Sequence, residues 1–423
     1  MKTERKPRAL MLIHQFPPIS GGAELQAECL AIKLTSMDYP IEVLTRLLDN
    51  VSAPQELIGG VKVMRVTFPF AYAFTGNEMV RTFRYLVENR HKYDIFHAHQ
   101  AWGHAAAAVL VARCFHKKSI VKVACAGDFG DIEVLKNLKG GRNGLRILRQ
   151  VDAIIAVSQE VEKELLRNGF SSQRIYHIPN GVDTDFFKRN DPFPPWTKIR
   201  FILVGRRHYH KGIDIALQAL SLIKKQGLAQ RIELRLYGRD FEGYDYRKMA
   251  VELGLDEMVE FLPFSDDIYD VYQSAHVFIL PSRGEGLSNS LLEAMSMELP
   301  VIATRVSGTT DVVEDEKDGL LIPPESAPAL AHAMLKIIQE PEFALKIGQN
   351  ARQKVLYKFS LDIVAQQYAD LYQKLCPNSK QIGKKLAWKQ KKKILESSKM
   401  LMKYYWFVVW KLCSMRVIFS RFF

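Results

Sequence analysis

Two consecutive doubly wound α/β domains facing across a cleft, followed by a basic, aromatic helical tail, are what the sequence predicts. The chain has 423 residues, more than one hydrophobic core of roughly 250–300 residues holds. Short apolar runs alternate with longer helical patterns, as in a sheet of buried parallel strands linked by right-handed crossovers. The alternation stops at a proline-rich stretch and then restarts, which divides the chain in two.

In the first half, strands are expected at 9–14, 41–45, 61–66, 94–97, 120–124, 153–157 and 175–178, short runs that in several cases are apolar on both faces. Helical patterns at 23–36, 78–90, 102–115 and 159–167 lie between them. Residues 190–196 read Asn-Asp-Pro-Phe-Pro-Pro-Trp, and prolines this dense continue neither a helix nor a central strand. Strands are then expected at 201–204, 233–237, 259–262, 277–280, 301–303 and 320–322, with helices at 213–225, 246–253, 291–297 and 327–339. One more helical pattern, 365–375, precedes an abrupt change of composition at Cys376-Pro377. The domains are therefore read as 1–190, 197–358, a helical segment 359–376 returning towards the first domain, and a tail, 377–423.

Hydrophobic residues make up 48% of the chain and charged residues 25%, a balance that excludes disordered, collagenous and polytopic membrane classes. The net charge is +13, but twelve Lys or Arg against the single Glu396 put +11 of it in the tail. The two domains are thus nearly neutral, and the basic character gives no reason to expect that they bind nucleic acid. Five scattered cysteines, Cys29, Cys114, Cys125, Cys376 and Cys413, form no Cys-x-x-Cys pair and read as a reducing compartment without a disulfide framework or zinc cluster. The first apolar run is too short for a signal h-region. A cytoplasmic protein is expected.

In doubly wound sheets, ligands bind at the carboxyl ends of the strands, so the strand-to-helix loops carry the chemistry. The first loop contains Gly21-Gly22 at a helix start, either a tight turn or a place where backbone N–H groups approach an anion. It does not match Gly-x-Gly-x-x-Gly, so a nicotinamide cofactor is not indicated. The loop opening the second domain, Gly205-Arg206-Arg207-His208-Tyr209-His210-Lys211-Gly212, offers two cations, Arg206 and Lys211. They suit a diphosphate, though a solvated basic loop would read the same. The most informative segment runs from Pro281 through Glu285-Gly286-Leu287-Ser288-Asn289 to Glu293. Ser288 or Asn289 is a good N-cap. Glu285 falls before the cap and Glu293 about one turn inside the helix, so one carboxylate flanks each side of a helix N-terminus fitted to phosphate.

This segment resembles the Glu-x7-Glu motif of retaining glycosyltransferases with the GT-B fold, particularly glycosyltransferase family 4. Gly205–Gly212, Ile178-Pro179-Asn180-Gly181-Val182-Asp183, Leu236-Tyr237-Gly238 and Gly21-Gly22 match in order and spacing over roughly residues 8–375. The resemblance implies a nucleotide-diphosphate sugar donor, UDP- or GDP-linked, and no cofactor or metal. It implies that Arg206 and Lys211 neutralise the diphosphate. Glu285, helped by the backbone of Gly286, Leu287, Ser288 and Asn289, binds hydroxyls of the transferred sugar. Glu293 binds the ribose, and Gly21 and Gly22 close the cleft from the first, acceptor-side domain. Asp183-Thr184-Asp185 matches an Asp-x-Asp metal motif but lies in the Asn-Gly-Val-Asp turn, which favours a structural reading.

The sequence departs from the family at one place. Where many members carry a His after the fifth strand, this chain reads Val123-Ala124-Cys125-Ala126-Gly127-Asp128. Asp128 is a candidate polar contact there. His97, His99 and His104 cluster after the preceding strand, with a hydrogen-bonded structural role or, for His99, an acceptor contact as the readings.

In the tail, Lys384-Lys385, Lys389 and Lys391-Lys392-Lys393 precede Tyr404-Tyr405-Trp406-Phe407-Val408-Val409-Trp410, and three of the five tryptophans lie there. Lys411, Arg416 and Arg421 interrupt the apolar stretch, so a helix lying in the interface of an anionic membrane fits better than a spanning one; packing on the body or a partner is the other reading. The expectation is a peripheral enzyme on the inner membrane face that transfers sugar to a lipid-linked or surface-glycan acceptor. The alternatives are a GT-B sugar synthase with a small soluble acceptor and an inactive GT-B scaffold.

Overall fold

The computed structural model describes residues 5–18, 21–47, 52–66, 77–127, 130–138, 140–240, 243–265 and 267–377. The first half contains strands β1 (Ala9–Leu12), β2 (Ile41–Arg46), β3 (Gln55–Ile58), β4 (Val61–Val66), β5 (Ile95–His99), β6 (Lys118–Val123), β7 (Ala153–Ala156) and β8 (Ile175–His177). Its helices are α1 (Gly22–Ser36), α2 (Asn77–Asn89), α3 (Gly103–Cys114), α4 (Asp131–Asn137), α5 (Gly141–Leu148) and α6 (Gln159–Arg167). The strands form one sheet in the order β3-β4-β2-β1-β5-β6-β7-β8.

The second half contains β9 (Ile199–Val204), β10 (Ile232–Tyr237), β11 (Val259–Leu262), β12 (Val277–Leu280), β13 (Val301–Thr304) and β14 (Leu320–Ile322), ordered β11-β10-β9-β12-β13-β14. Helices α7 (Ile213–Lys225), α8 (Tyr246–Glu252), α9 (Ile268–Gln273), α10 (Asn289–Ser296), α11 (Thr309–Val312), α12 (Ala327–Gln339), α13 (Pro341–Lys358) and α14 (Leu361–Leu375) complete it. Every pairing in this sheet is parallel. Both sheets thus end on the side where the site loops lie.

The first sheet has one antiparallel edge that the sequence reading did not anticipate. β3 pairs antiparallel with β4, with Ile58 opposite Val61. Gly59 and Gly60 between them have φ of +53° and +81°, the two left-handed residues that a tight hairpin turn requires.

The parallel strands are buried on both faces, which accounts for their unbroken apolar runs. One face of the first sheet, with Leu10, Leu12, Phe96 and Val121, packs in a cluster that continues through Leu287, Leu291 and Met295 of the second half. The other face, with Met11, Ile95, Ile120 and Ile155, is covered by Leu30 and Leu34 of α1 and by Tyr368 and Tyr372 of α14. Helix α14 thus returns from the second half to finish a layer of the first. The crossing is stitched at the α13–α14 junction, where Val182 N donates to Phe359 O at 2.9 Å and Leu361 N to Val182 O at 2.8 Å.

Candidate functional site

Helix α10 follows the fully buried strand β12 after an eight-residue loop, 281–288. Ser288 is its N-cap, and its Oγ accepts from Leu291 N at 3.4 Å. In the loop, Glu285 Oε1 accepts from Lys211 Nζ and from Ser282 Oγ, each at 2.7 Å. Lys211 arrives from the loop after β9. Gly212, which follows it, has φ +64°, and a Cβ there would stand 2.0 Å from Pro281 O. Only glycine lets the two loops pass this closely, and that passage sets the ammonium beside the carboxylate. The pair is largely shielded, which strengthens its attraction relative to a surface pair.

The two adjacent arginines do different work. Arg206 is exposed in the loop that delivers Lys211. Arg207 is 3% exposed and binds Asp240 Oδ1 at 2.5 Å, Leu236 O at 3.1 Å and Leu262 O at 2.7 Å. It ties together the carboxyl ends of β10 and β11.

Glu293 lies one turn into α10 and is 8% exposed. Its Oε2 accepts from the Tyr272 hydroxyl at 2.7 Å. Burial pushes its carboxyl up to about 7, and the tyrosine hydrogen bond works against that rise. Glu285 and Glu293 thus flank the helix terminus, one in an ion pair and the other buried against the Tyr272 hydroxyl.

The first half closes on this terminus through backbone. Gly21 caps α1, and its N–H donates to Glu24 Oε2 at 3.1 Å. Gly22 O accepts from Asn289 Nδ2 at 2.8 Å. Asn180 Nδ2 donates to Asn289 Oδ1 at 3.0 Å and to Leu287 O at 2.9 Å. A Cβ on Gly286 would stand 1.9 Å from Ala124 O, at the end of β6. Gly308, at φ +75°, packs as closely against Gly286 from the other side, where a Cβ would meet Gly286 O at 1.8 Å. Gly21, Gly22, Gly286, Leu287, Ser288, Asn289, Glu285, Glu293 and Lys211 therefore converge on one end of α10, whereas Arg206 is exposed in the loop that carries Lys211.

Of the expected acceptor-side residues, His99 lies among those described. His99 is 1% exposed, and neither ring nitrogen has a partner among the described residues. It stacks on His97 at 4.4 Å between ring centroids. His97 Nδ1 meets Tyr372 Oη of α14 at 2.9 Å, and His104 Nε2 meets His99 O at 2.8 Å. Burial drives all three imidazoles down, His97 to about 3, His104 to about 4 and His99 well below its ordinary value. They are neutral rings packed within the fold. Asp128 lies outside the described residues. Asp183 Oδ1 accepts from Asp185 N at 3.1 Å and from Phe186 N at 3.0 Å, so its carboxylate closes a turn. The tail from 378 onward also lies outside the described residues, and no helix among those described is long and apolar enough to cross a membrane.

Four contributors carry no role in the sequence reading. Ser282 fixes Glu285, and its signal was its place three residues earlier in the same loop. Tyr272 and Asn180 reach the site from distant segments. Arg283 grips Asp214 with both nitrogens, at 2.9 and 2.7 Å, and Glu325 at 2.5 Å, with its guanidinium 3.6 Å over the Tyr209 ring. That clamp stiffens the loop carrying Lys211.

Residues 20–186 match the family model Glycosyltransferase Family 4, and residues 185–354 match Glycosyl transferases group 1. The chain is 28% identical over 291 residues to the putative colanic acid biosynthesis glycosyltransferase WcaL of Escherichia coli, covering 67% of this chain and 71% of that protein. It is 27% identical over 301 residues to the putative glycosyltransferase EpsD of Bacillus subtilis, covering 68% and 78%. The fold matches that of Anabaena Alr3699/HepE, solved in complex with UDP, with a TM-score of 0.71, 18% identity, and coverage of 87% of this chain and all of that one.

Proposed function

Because the chain belongs to the GT-B glycosyltransferases of family 4, glycosyl transferases group 1, we propose that it transfers a hexosyl group from a nucleotide-diphosphate sugar to a lipid-linked or surface-glycan acceptor, with retention of configuration. The observation that carries the reading is the Lys211–Glu285 pair, 2.7 Å long, beside the N-terminus of α10 with Glu293 one turn inside. A diphosphate at that terminus meets Lys211, Arg206 and the positive end of the helix. Glu285 accepts from hydroxyls of the transferred sugar, and Glu293 from those of the ribose. As the bond from the anomeric carbon to the diphosphate breaks, its electron pair stays on the phosphate oxygen. These cations hold that growing charge in a partly dehydrated site. Retention follows when the acceptor hydroxyl attacks from the leaving-group face and gives its proton to the departing phosphate oxygen. The UDP complex of the HepE fold relative supports a uridine donor, with GDP as the other candidate, and the colanic acid relative supports a glycan acceptor.

Screening UDP, GDP, ADP and their sugars by thermal shift tests the donor class, since a ligand specific for the folded state raises the melting temperature by mass action. Stabilisation by none of them refutes the reading. Glu293→Gln should weaken free-nucleotide affinity roughly tenfold to a hundredfold, the worth of a charged hydrogen-bond acceptor. Glu285→Gln should leave that affinity nearly intact and impair sugar transfer. Calorimetric titration of both variants decides, and equal losses contradict the division of roles.

Turnover should persist in excess EDTA, because Lys211, Arg206 and the helix terminus already oppose the diphosphate charge. Activity abolished by EDTA and restored by Mg²⁺ or Mn²⁺ would refute metal independence.

Residues 377–423 are proposed to hold the enzyme on the cytoplasmic face of an anionic membrane, since each Lys or Arg near such a surface contributes about 1 kcal/mol. Their removal should abolish flotation with anionic liposomes and spare nucleotide binding. Equal flotation of both forms would show that the tail is not the anchor.

A further inference from the structure

Tyr272 occupies the last turn of α9, is wholly buried, and has its ring edge-on to Phe187 and tilted against Phe278. Its carbonyl accepts from Arg189 Nη2 at 3.0 Å. Ring and backbone are thus both fixed, and so is the direction of the hydroxyl. That hydroxyl lies 2.7 Å from Glu293 Oε2 and 3.4 Å from Ser290 O. One proton serves the shorter contact. Among the described residues, the Glu293 carboxylate makes no other hydrogen bond or ion pair.

We propose that Tyr272 is a positioning residue for nucleotide binding: its hydroxyl engages one Glu293 oxygen, favours the ionised carboxylate in a buried site, and leaves the second oxygen to accept from the ribose. This rests on the assignment of Glu293 to the ribose. An ionised carboxylate only accepts, whereas its protonated form must donate from one oxygen. Nucleotide affinity therefore follows the ionisation of Glu293.

The surroundings leave Tyr272 as the one direct partner among the described residues. Across the cleft, the Cys29 thiol of α1 senses the Glu293 charge but is itself pushed up to about 12 by burial, and so stays neutral. Asp183 is engaged in its turn. Arg189 donates to the carbonyls of Met297, Gln273 and Tyr272. Arg352 of α13 binds Phe187 O at 3.0 Å and Ser296 O, with Glu298 at 3.6 Å. Burial raises the Glu293 carboxyl towards neutral pH and the tyrosine restrains that rise. With the hydroxyl gone, only burial remains, and protonation persists to higher pH.

The test is calorimetric titration of UDP and of GDP between pH 5.5 and 9, using the full chain, Tyr272→Phe and Glu293→Gln. In the unmodified protein, affinity should rise with pH through about 7 and level off. Tyr272→Phe should move that midpoint up by about one unit, weakening binding about fivefold near pH 7 and about tenfold below pH 6, while the curves converge at pH 9. Glu293→Gln should show no dependence above pH 7, leaving only the terminal phosphate's own ionisation near pH 6. The melting temperature of the unliganded Tyr272→Phe protein reports whether the ring still packs, and the profile of the unmodified protein tests the ionisation without any variant. A Tyr272→Phe profile superimposable on the unmodified one, or weakened equally at every pH, overturns the proposal. Nucleotide binding undiminished in Glu293→Gln, or absent from the unmodified protein, overturns the ribose assignment beneath it.

Discussion

Lys211→Ala should lower sugar-transfer turnover by about 10²–10³-fold, the usual consequence of deleting one group that stabilises transition-state charge. Two effects add in the same direction. The departing diphosphate loses a cation, and Glu285 loses the partner 2.7 Å away that offsets its own charge. A carboxylate left beside the phosphates with only Ser282 then repels the product as it forms. The fold should survive, because Lys211 lies in a loop and contributes no apolar surface to the core. Initial rates of nucleotide release, measured on protein whose circular dichroism and melting temperature match the parent, provide the test. A folded variant with full turnover removes Lys211 from the site.

Gly286→Ala should cost about a hundredfold in turnover, on a different physical basis. Its new methyl would stand 1.9 Å from Ala124 O, against a normal carbon–oxygen contact of about 3.3 Å. The two halves must part by more than an ångström or the α10 loop must shift, and misplacement of about 1 Å at a reacting centre is worth about 10² in rate. The backbone at Gly286 is not in the left-handed region, so the substitution strains no local geometry and each half keeps its core. Nucleotide affinity should fall far less than turnover, since Lys211, Arg206 and Glu293 all belong to the second half. Steady-state kinetics beside nucleotide titration would detect this split. Unimpaired turnover would show that the Ala124 contact is not part of the working conformation.

Strands such as β11, β12 and β14 were legible to the residue because buried parallel strands are continuous apolar runs. β3 was not, since Gln55-Glu56-Leu57-Ile58 alternates weakly; its signal was the Gly59-Gly60 pair. Helix α13 was also missed. It starts at Pro341, directly after α12, and its buried stripe of Ala344, Ile347, Gly348, Ala351 and Val355 is made largely of small residues that weaken the pattern. The convergence of Glu285, Glu293 and Lys211 was readable because loop positions follow from strand ends. Which of two neighbouring arginines turns inwards, and that a tyrosine 21 positions before Glu293 supplies its hydrogen bond, depends on packing that no local spacing encodes.

The return of α14 gives the first half a peculiar assembly order. Its sheet is formed by residues that leave the ribosome first, yet the face bearing Met11, Ile95 and Ile120 is covered only in part, by α1, until Tyr368 and Tyr372 arrive, after the whole second half has been made. The nascent first half must therefore wait with part of an apolar face open, a state that invites chaperone capture or aggregation. A fragment ending at the proline-rich junction would keep the part under α14 open permanently. The two halves are consequently not interchangeable modules. A chimera that exchanges the first half must exchange α14 with it, cutting the gene at two places rather than one.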